Sequence, residues 1–497
     1  MDSANKSQFC DKDRISNLPV HVAHHILSFL TMEELARMCL TSKKHRELCI
    51  SIPFLTINGI PYRSSAKRAQ FINFIDRFLS LRNGMETRQV TICWSFKNGN
   101  SDDEYRVLTW LNHAIGCNVK LLELELVLDE DAVFFLPLGV FHCDSLMELK
   151  VNLNGGVLKL PSTDGICNIQ SLSLRGVQTF DQNFGEWVSS LCKQLKLLSL
   201  AHVHGITDIS IESSSLQDLT IIAPSTSQND FCRITISAEM LKKMRLDWRF
   251  NSSIGKSLKI YAPNLVTFSL YGSIASSYCL GNLKHLLYAS FKFYGPVNTN
   301  ELSSSQNILE LLQCICTVKC LSLQDSTITS RNPRSFEAYG FTRGYWESQN
   351  LVFHQLKAAV IELCNKGVNE LEFIKFLLKH ATVLEKLTVF DPPCFSSEIS
   401  KVINDYEKVS SAEVVFAPKP SNTLQLRQLY LDHILGINDI SIKSSPLQEM
   451  TIIDLSSGDL CNIRVSAVML KWMECYGATS EGHSACPCSI LFISFQI

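Results

Sequence analysis

Two stretches of the chain carry nearly the same thirteen residues, ISIESSSLQDLTI at 209–221 and ISIKSSPLQEMTI at 440–452. Each has two alternating apolar residues, a polar link, a Leu five residues after the second of them, and a closing apolar pair. In the first copy these positions hold Ile209, Ile211, Leu216, Leu219 and Ile221. Because side chains two residues apart share one face of a strand, the closing pair predicts a strand with one buried face.

The same spacing recurs in other stretches, such as ITISAEMLKKMRL, LKIYAPNLVTFSL and IRVSAVMLKWMEC. From Leu124 to Phe268, successive closing pairs lie 21 to 26 residues apart, which is the period of leucine-rich repeats. One strand cannot bury its apolar face alone, whereas stacked parallel strands bury it in a continuous column. The period therefore predicts a solenoid, and the alternative is an ordinary β-rich domain without a fixed repeat.

The two copies belong to a longer internal match. Residues 201–222 and 432–453 align without a gap and are identical at 14 of 22 positions. The match resumes two residues out of step at Cys232 and Cys461. Repeat similarity alone does not preserve so many polar positions, so the sequence indicates duplication of a whole segment.

Residues 14–50 have a different, helical pattern. Pro19 suits the first position of a helix, because it has no N–H to leave without a partner. Thr31 and Glu34 form a capping-box pattern that predicts the start of a second helix, and Ser42 is a candidate cap for a third. Three short helices bury too little apolar surface to be stable alone. This segment is therefore expected to pack on the solenoid or on another protein.

The composition narrows the class of protein. The 497 residues are 46% hydrophobic and 19% charged, which allows a large core, and the net charge of −2 argues against binding nucleic acid through phosphate contacts. No uncharged apolar run reaches the roughly 18–20 residues that span a bilayer, and the polar N-terminus does not resemble a secretory signal. We expect a protein of the nucleus or cytoplasm, with no membrane association, whose 19 cysteines are reduced.

The stretch DRISNLP…HHILSFLTMEELARMCLTSKKHREL resembles an F-box, the helical module by which substrate receptors bind the Skp1 adaptor of a cullin-RING ubiquitin ligase. The resemblance implies that apolar residues of this module fill grooves on Skp1. The matching positions are Leu18, Pro19, Ile26, Leu27, Leu30, Leu40 and Ser42.

Two later stretches are similar to plant F-box proteins of the F-box/FBD/LRR family. Residues 134–162 resemble their leucine-rich segment, and residues 356–390 with 411–416 resemble their FBD region, where ELEFIKFLLKHATVLEKL reads as an amphipathic helix that leads into a strand. The predicted organisation is a disordered N-terminus (1–10), an F-box (11–55), a leucine-rich-repeat solenoid (56–349), an FBD-like region continuing it (350–418), duplicated repeats (419–476) and an irregular tail (477–497).

The predicted fold class is α/β, a three-helix F-box followed by an irregular leucine-rich-repeat solenoid. The family resemblance implies a non-catalytic substrate receptor of an SCF (Skp1-cullin-F-box) ligase, with no cofactor. Polar side chains beside the buried leucines are the candidates for contact with a target protein. They are Glu123, Glu125, Lys150, Asn152, Ser173, Arg175, Arg245, Asp247, Ser269 and Tyr271.

Two other functions remain open at this point. Plant F-boxes often have Trp where this chain has His45, which favours a leucine-rich scaffold with a degenerate F-box. The second alternative is a metal-dependent enzyme built on the tail residues Cys475, His483, Cys486 and Cys488, although their spacing is not that of a structural zinc site. The sequence identifies neither the target nor the need for a small-molecule co-ligand.

Overall fold

The computed structural model describes most of the chain before residue 392 and short strands after it. The described residues are 15–62, 64–82, 84–96, 101–128, 133–159, 168–179, 184–223, 232–250, 253–281, 283–293, 304–323, 344–362, 368–391, 411–418, 428–434, 439–443, 449–455, 462–466 and 472–475. The predicted disordered N-terminus and irregular tail lie outside these ranges, as do His483, Cys486 and Cys488. The chain forms two compact units, one of residues 1–389 and 397–415, the other of residues 390–396 and 416–497.

The first unit begins with the three predicted short helices, α1 (Val20–Leu27), α2 (Met32–Cys39) and α3 (Lys43–Ile50). Pro19 directly precedes α1. The capping box at α2 is formed, because the Thr31 N–H donates to Glu34 Oε2 at 2.8 Å and the Glu34 N–H donates to Thr31 Oγ1 at 3.3 Å. Ser42 caps α3 by accepting the His45 N–H at 3.0 Å. The cap signals in the sequence thus set where α2 and α3 begin.

The rest of the first unit is a solenoid of strands and helices, whose last two strands end in residues assigned to the second unit (390–391 and 416–418). Its strands are β1 (Phe54–Asn58), β2 (Gln89–Ser95), β3 (Leu121–Val127), β4 (Val133–Phe135), β5 (Glu148–Asn152), β6 (Val157–Lys159), β7 (Ser171–Gln178), β8 (Leu197–His204), β9 (Asp208–Ser213), β10 (Asp218–Ile222), β11 (Arg233–Ala238), β12 (Lys243–Trp248), β13 (Ser257–Tyr261), β14 (Thr267–Gly272), β15 (Ser277–Leu280), β16 (Tyr288–Phe293), β17 (Cys320–Leu323), β18 (Ala358–Glu362), β19 (Lys386–Asp391) and β20 (Glu413–Pro418). Its helices are α4 (Ser65–Arg82), α5 (Ser101–Gly116), α6 (Leu138–Phe141), α7 (Phe184–Leu191), α8 (Ser304–Cys314) and α9 (Val368–His380). No described helix has both the length and the apolar character that crossing a bilayer requires.

One long sheet runs through the solenoid in the order β1-β2-β3-β5-β7-β8-β10-β12-β14-β16-β17-β18-β19-β20. From β2 to β18, neighbouring strands of this sheet pair in parallel. Their register places the closing apolar pairs side by side, so that Leu219 pairs with Leu198 on one side and Met244 on the other. These pairs are almost fully buried, with Leu219 and Phe268 at 0% exposure. The stacked column that the period predicts is therefore the core of the sheet, and the α/β solenoid fold is confirmed.

Between residues 208 and 280, the strand that precedes each strand of the long sheet joins a second, four-stranded sheet in the order β15-β13-β11-β9. Helix α7 packs against β9, and α8 packs against β15. The contact of α7 with β9 is so close that a Cβ at Gly185 would lie 2.1 Å from the carbonyl oxygen of Ser210. Strands therefore replace helices on this side of the solenoid between residues 208 and 280.

The described part of the second unit repeats both strand types. Its strands are β21 (Gln428–Ile434), β22 (Asp439–Lys443), β23 (Glu449–Leu455), β24 (Asn462–Ser466) and β25 (Trp472–Cys475). They form two separate parallel sheets, β21-β23-β25 and β22-β24. Gln428 pairs with Glu449 as Leu197 pairs with Asp218 in the first copy, so the internal sequence match extends to strand register.

Candidate protein-docking site

The three-helix segment leaves several large apolar side chains in solvent. Leu40 is 80% exposed, Phe29 75%, Val20 58% and Ile26 39%. Phe29 and Leu40 occupy equivalent places, each one or two residues past the end of a helix, where the chain turns with i→i+3 hydrogen bonds. Because such a turn projects its side chain away from the helix pair, these residues are presented outward.

The segment also has a small core of its own. Ala23, Leu27, Met32, Leu35 and Cys49 are buried, with at most 5% exposure. Helix α3 packs against both α1 and α2. The exposed side chains are therefore carried on a packed framework.

Contacts with the solenoid hold this framework in place. Arg82, the last residue of α4, is fully buried and donates from Nη1 to the Ile50 carbonyl at 2.5 Å and from Nη2 to Thr87 Oγ1 at 3.0 Å. Ile50 ends α3, so the guanidinium supplies a donor to a carbonyl that the helix leaves without a partner. Burial lowers the pKa of Arg82. Within the segment itself, His24 Nε2 in α1 lies 2.9 Å from the hydroxyl of Ser51, which follows α3.

The charged side chains of α2 form ion pairs and hydrogen bonds with nearby residues. Arg37 lies 3.5 Å from Glu33, one helical turn away, and Glu33 also accepts a short hydrogen bond from Tyr62. Burial, followed by the bond to Glu33, raises the pKa of Tyr62 to about 12. The hydrogen bonds from Thr31 lower the pKa of Glu34. Because its lowered pKa keeps the Glu34 carboxylate ionised at neutral pH, a charged side chain of α2 borders the exposed apolar residues.

A second segment with a distinctive geometry lies near the end of the first unit. Helix α9 leads into strand β19, as the stretch ELEFIKFLLKHATVLEKL at 370–387 predicts. Its buried face includes Phe373 and Leu377, and the Trp346 ring packs on Phe373 with centroids 4.6 Å apart. The amphipathic helix thus buries its apolar face against the segment that carries Trp346.

Comparison with known proteins identifies both segments. An F-box-like family model matches residues 15–55, and an FBD model matches residues 352–389. The chain is therefore similar to the F-box/LRR-repeat proteins of plants. An F-box/LRR-repeat protein of Arabidopsis thaliana is 27% identical over 329 residues, which cover 64% of this chain and 79% of that protein.

Two further F-box/LRR-repeat proteins of Arabidopsis thaliana are 26% and 25% identical over 341 and 324 residues. Those matches cover 65% and 64% of this chain but only 64% and 63% of the relatives, so the chain spans less than two thirds of their length.

The structure separates the residues that the F-box resemblance assigns to Skp1 into three groups. Pro19, Ile26 and Leu40 are exposed, and Leu18 and Leu30 are half-buried. Ser42 is half-buried and serves as the cap of α3. Leu27 is only 1% exposed, so it belongs to the core of the helical segment and is not available to a partner in this structure.

His45, which stands where related F-boxes often have Trp, is also half-buried. Its Nδ1 lies 2.7 Å from the Thr41 hydroxyl. The ring is thus held against the turn between α2 and α3, next to the exposed Leu40. This position offers less apolar surface than an indole would.

The ten candidate target-contacting residues of the solenoid lie on the exposed side of the long sheet. The pairing places Glu123 beside Lys150, Lys150 beside Ser173, and Arg245 beside Ser269. Alternate positions along the same strands are buried, whereas these are exposed or half-exposed. The pairing also aligns a second row, which runs Glu125, Asn152, Arg175 and, farther along, Asp247 and Tyr271.

Several of these side chains already have partners within the sheet. Glu123 accepts from Thr91 Oγ1 at 3.2 Å. The Asp247 carboxylate lies 3.2 Å from the Arg249 guanidinium. The guanidinium of Arg245 lies over the ring of Tyr271, with its Cζ 5.4 Å from the ring centroid. The surface is therefore preorganised and polar, and it carries both signs of charge.

The sequence analysis did not single out Phe29 and Val20, which the structure leaves highly exposed beside the predicted positions. The signal for Phe29 was present, since an aromatic residue directly after a helix has no neighbouring turn to cover it. Within the described ranges, no group of three or more His, Cys, Asp or Glu side chains is placed to hold a metal ion. Of the tail residues weighed as metal ligands, Cys475 ends β25 and the other three lie outside those ranges.

Proposed function

We propose that this chain is the substrate-recognition subunit of an SCF-type E3 ubiquitin ligase. Its F-box docks on a Skp1-like adaptor, and through it on a cullin, while the polar face of the long sheet binds a target protein for ubiquitination. The observation that supports this most is the exposure of Phe29 and Leu40 on a segment that is otherwise packed.

The energetics favour a partner for these side chains. Full burial of one Leu or Phe side chain contributes about 1.5–3 kcal/mol. Val20, Ile26, Phe29 and Leu40 together would therefore supply several kcal/mol on docking, before any hydrogen bond is counted. An apolar groove on another protein is the expected complement, as in other complexes where helical segments dock into grooves.

The chain would act without covalent chemistry of its own. Holding a target lysine near a ubiquitin-loaded enzyme raises the local concentration of the reacting groups, and this alone gives large rate gains. The rigid link through Arg82 suits this role, because it fixes the F-box to the first repeats.

Reconstitution with a purified plant Skp1-like adaptor and cullin tests the proposal. The full chain should co-elute with both in size-exclusion chromatography. The double variant Leu18→Ala/Pro19→Ala should lose co-elution while keeping the circular dichroism of the unmodified chain. If both chains bind equally and poorly, the proposed ligase role is wrong.

A second candidate function is a non-catalytic leucine-rich scaffold with a degenerate F-box, favoured by His45. The variant His45→Trp distinguishes the two functions. Recovery of adaptor binding in His45→Trp, from none in the unmodified chain, would support the degenerate F-box. Equal and strong binding by both chains would support the ligase receptor.

A further inference from the structure

The residue before each strand of the long sheet forms a row along one edge. In this row the Lys242 N–H donates to the Gln217 carbonyl at 2.9 Å, the Val266 N–H to Lys242 at 2.8 Å, and the Leu287 N–H to Val266 at 2.9 Å. The row continues to Lys319, because the Cys320 N–H donates to Leu287 at 2.8 Å. These backbone groups bond to one another, so only side chains along this edge are left to recognise a ligand.

A cleft of about 540 Å³ opens along this part of the edge. Among the described residues, three lysines line it, Lys242, Lys284 and Lys319, and no Asp or Glu does. Its apolar lining includes Val266 and Leu287. We call this feature the lysine cleft.

Two cations of the same row outside the cleft have acidic partners. Arg88 lies 3.9 Å from Glu86, and Lys357 lies 2.7 Å from Glu385. Within the described part of the chain, no carboxylate lies within 4.0 Å of the ammonium groups of the lysine cleft. Arg88 and Lys357 are therefore paired with carboxylates, whereas the positive charge of the three cleft lysines is left for a ligand.

We propose that the lysine cleft binds an extended acidic segment of a partner protein, with carboxylates on either side of an apolar residue. Neighbouring strands lie about 4.8 Å apart, so Lys242 and Lys319, three strands apart, are separated by about 14 Å along the edge. This distance matches about four residues of extended chain. A single small anion cannot reach across it, whereas carboxylates spaced along a peptide can.

The apolar lining and the charge of the chain narrow the ligand further. Met240 and Leu287 are 44% and 42% exposed inside the cleft, which favours a ligand with an apolar side chain over a bare polyanion. The net charge of −2 disfavours nucleic acid. Charge complementarity then points to an acidic polypeptide, and complementary charge mainly sets specificity and association rate.

This inference rests on the proposed function only in identifying the partner as a ligase target. The binding test is independent of it. Fluorescence anisotropy of the full chain with a labelled octapeptide, three Glu residues on each side of two Leu residues, measures binding, and a peptide with Gln at every Glu position is the control. The Glu peptide is expected to bind at least tenfold more tightly at low salt, and 0.5 M NaCl is expected to remove most of that difference.

Two matched triple variants complete the test. Lys242→Gln/Lys284→Gln/Lys319→Gln should weaken binding of the Glu peptide at least tenfold. The control Lys67→Gln/Lys193→Gln/Lys259→Gln removes the same charge from exposed positions outside the cleft and should weaken it less than threefold. Equal weakening by both triples, or equal binding of the Glu and Gln peptides, would overturn the proposal. Adaptor binding should not change in either triple, so loss of adaptor binding and loss of peptide binding are separate results.

Discussion

Large apolar side chains are buried in the solenoid, whereas several of them are exposed in the F-box. In the solenoid, Leu219 and Phe268 are completely buried between neighbouring strands, whereas in the F-box Phe29 and Leu40 are mostly in solvent. Each repeat has a neighbour to stack on, but three short helices do not enclose all their apolar side chains. The same residue types therefore stabilise the fold in one region and are left for a partner in the other.

The largest expected effect comes from the same substitution in the two regions. Phe268→Ala should lower the free energy of unfolding by about 3–5 kcal/mol, because it leaves a cavity in the core beside Phe291. Phe29→Ala should change it by less than about 0.5 kcal/mol, as expected for an exposed site. Chemical denaturation followed by circular dichroism measures both. Similar losses in the two variants would contradict the contrast between the regions.

A smaller effect is expected where the regions join. Arg82→Met removes the donor to the Ile50 carbonyl and should lower the free energy of unfolding by about 1–3 kcal/mol, the range for leaving a buried polar group unsatisfied. Hydrogen exchange should become faster in α1–α3 and stay unchanged in β10–β16. Uniform acceleration across the solenoid would show that Arg82 does not act specifically on the F-box.

Within the F-box, Thr31→Ala tests the cap of α2. Loss of the hydroxyl acceptor for the Glu34 N–H should lower the free energy of unfolding by about 1 kcal/mol. Thr31→Ser keeps the acceptor and should restore most of the loss. Equal stability of the Ala and Ser variants in thermal denaturation would argue against the capping role.

Much of this contrast can be predicted from the sequence. The closing pairs fix which strands stack and in which register, and Pro19, Thr31 and Ser42 fix the starts of the helices, because these are local signals. The sequence does not distinguish Ile26 from Leu27, since neighbouring positions on a helix face different ways and the position of α3 decides which one is buried. The lysine cleft could not be predicted from the sequence, because it joins residues from five separate stretches of the chain.

The second sheet also shows what cannot be predicted from the sequence, namely which strands pair. Alternation at 208–213 predicts a strand but not its partner, and the structure pairs β9 with β11 in a separate sheet. There Asp208 forms an ion pair with Arg233, and Nε to Oδ2 is 3.0 Å. In the duplicated repeats the residue in register with Asp439 is Asn462, so the copy keeps the strand pairing without the cation.

The smallest effect is expected at this exposed pair. Arg233→Asn, which imitates the copy, should leave the midpoint of thermal unfolding at pH 7 nearly unchanged, because exposed pairs contribute little. Arg233 lowers the pKa of Asp208, so the pair stabilises the folded state above the ordinary pKa of Asp and loses this effect as the pH falls through the lowered value. The variant should therefore show a slightly weaker loss of stability on acidification. A steeper loss would contradict this sign.

The most direct test of the central claim is the dissociation constant for a purified Skp1-like adaptor, measured by isothermal titration calorimetry. Phe29→Ser/Leu40→Ser should weaken binding at least a hundredfold without lowering the thermal midpoint. The control Tyr261→Ser/Ile254→Ser removes an aromatic and an aliphatic side chain that are 54% and 82% exposed in the solenoid, and it should leave binding unchanged. Equal affinities for all three proteins would contradict the claim that the exposed apolar residues of the F-box are the docking surface.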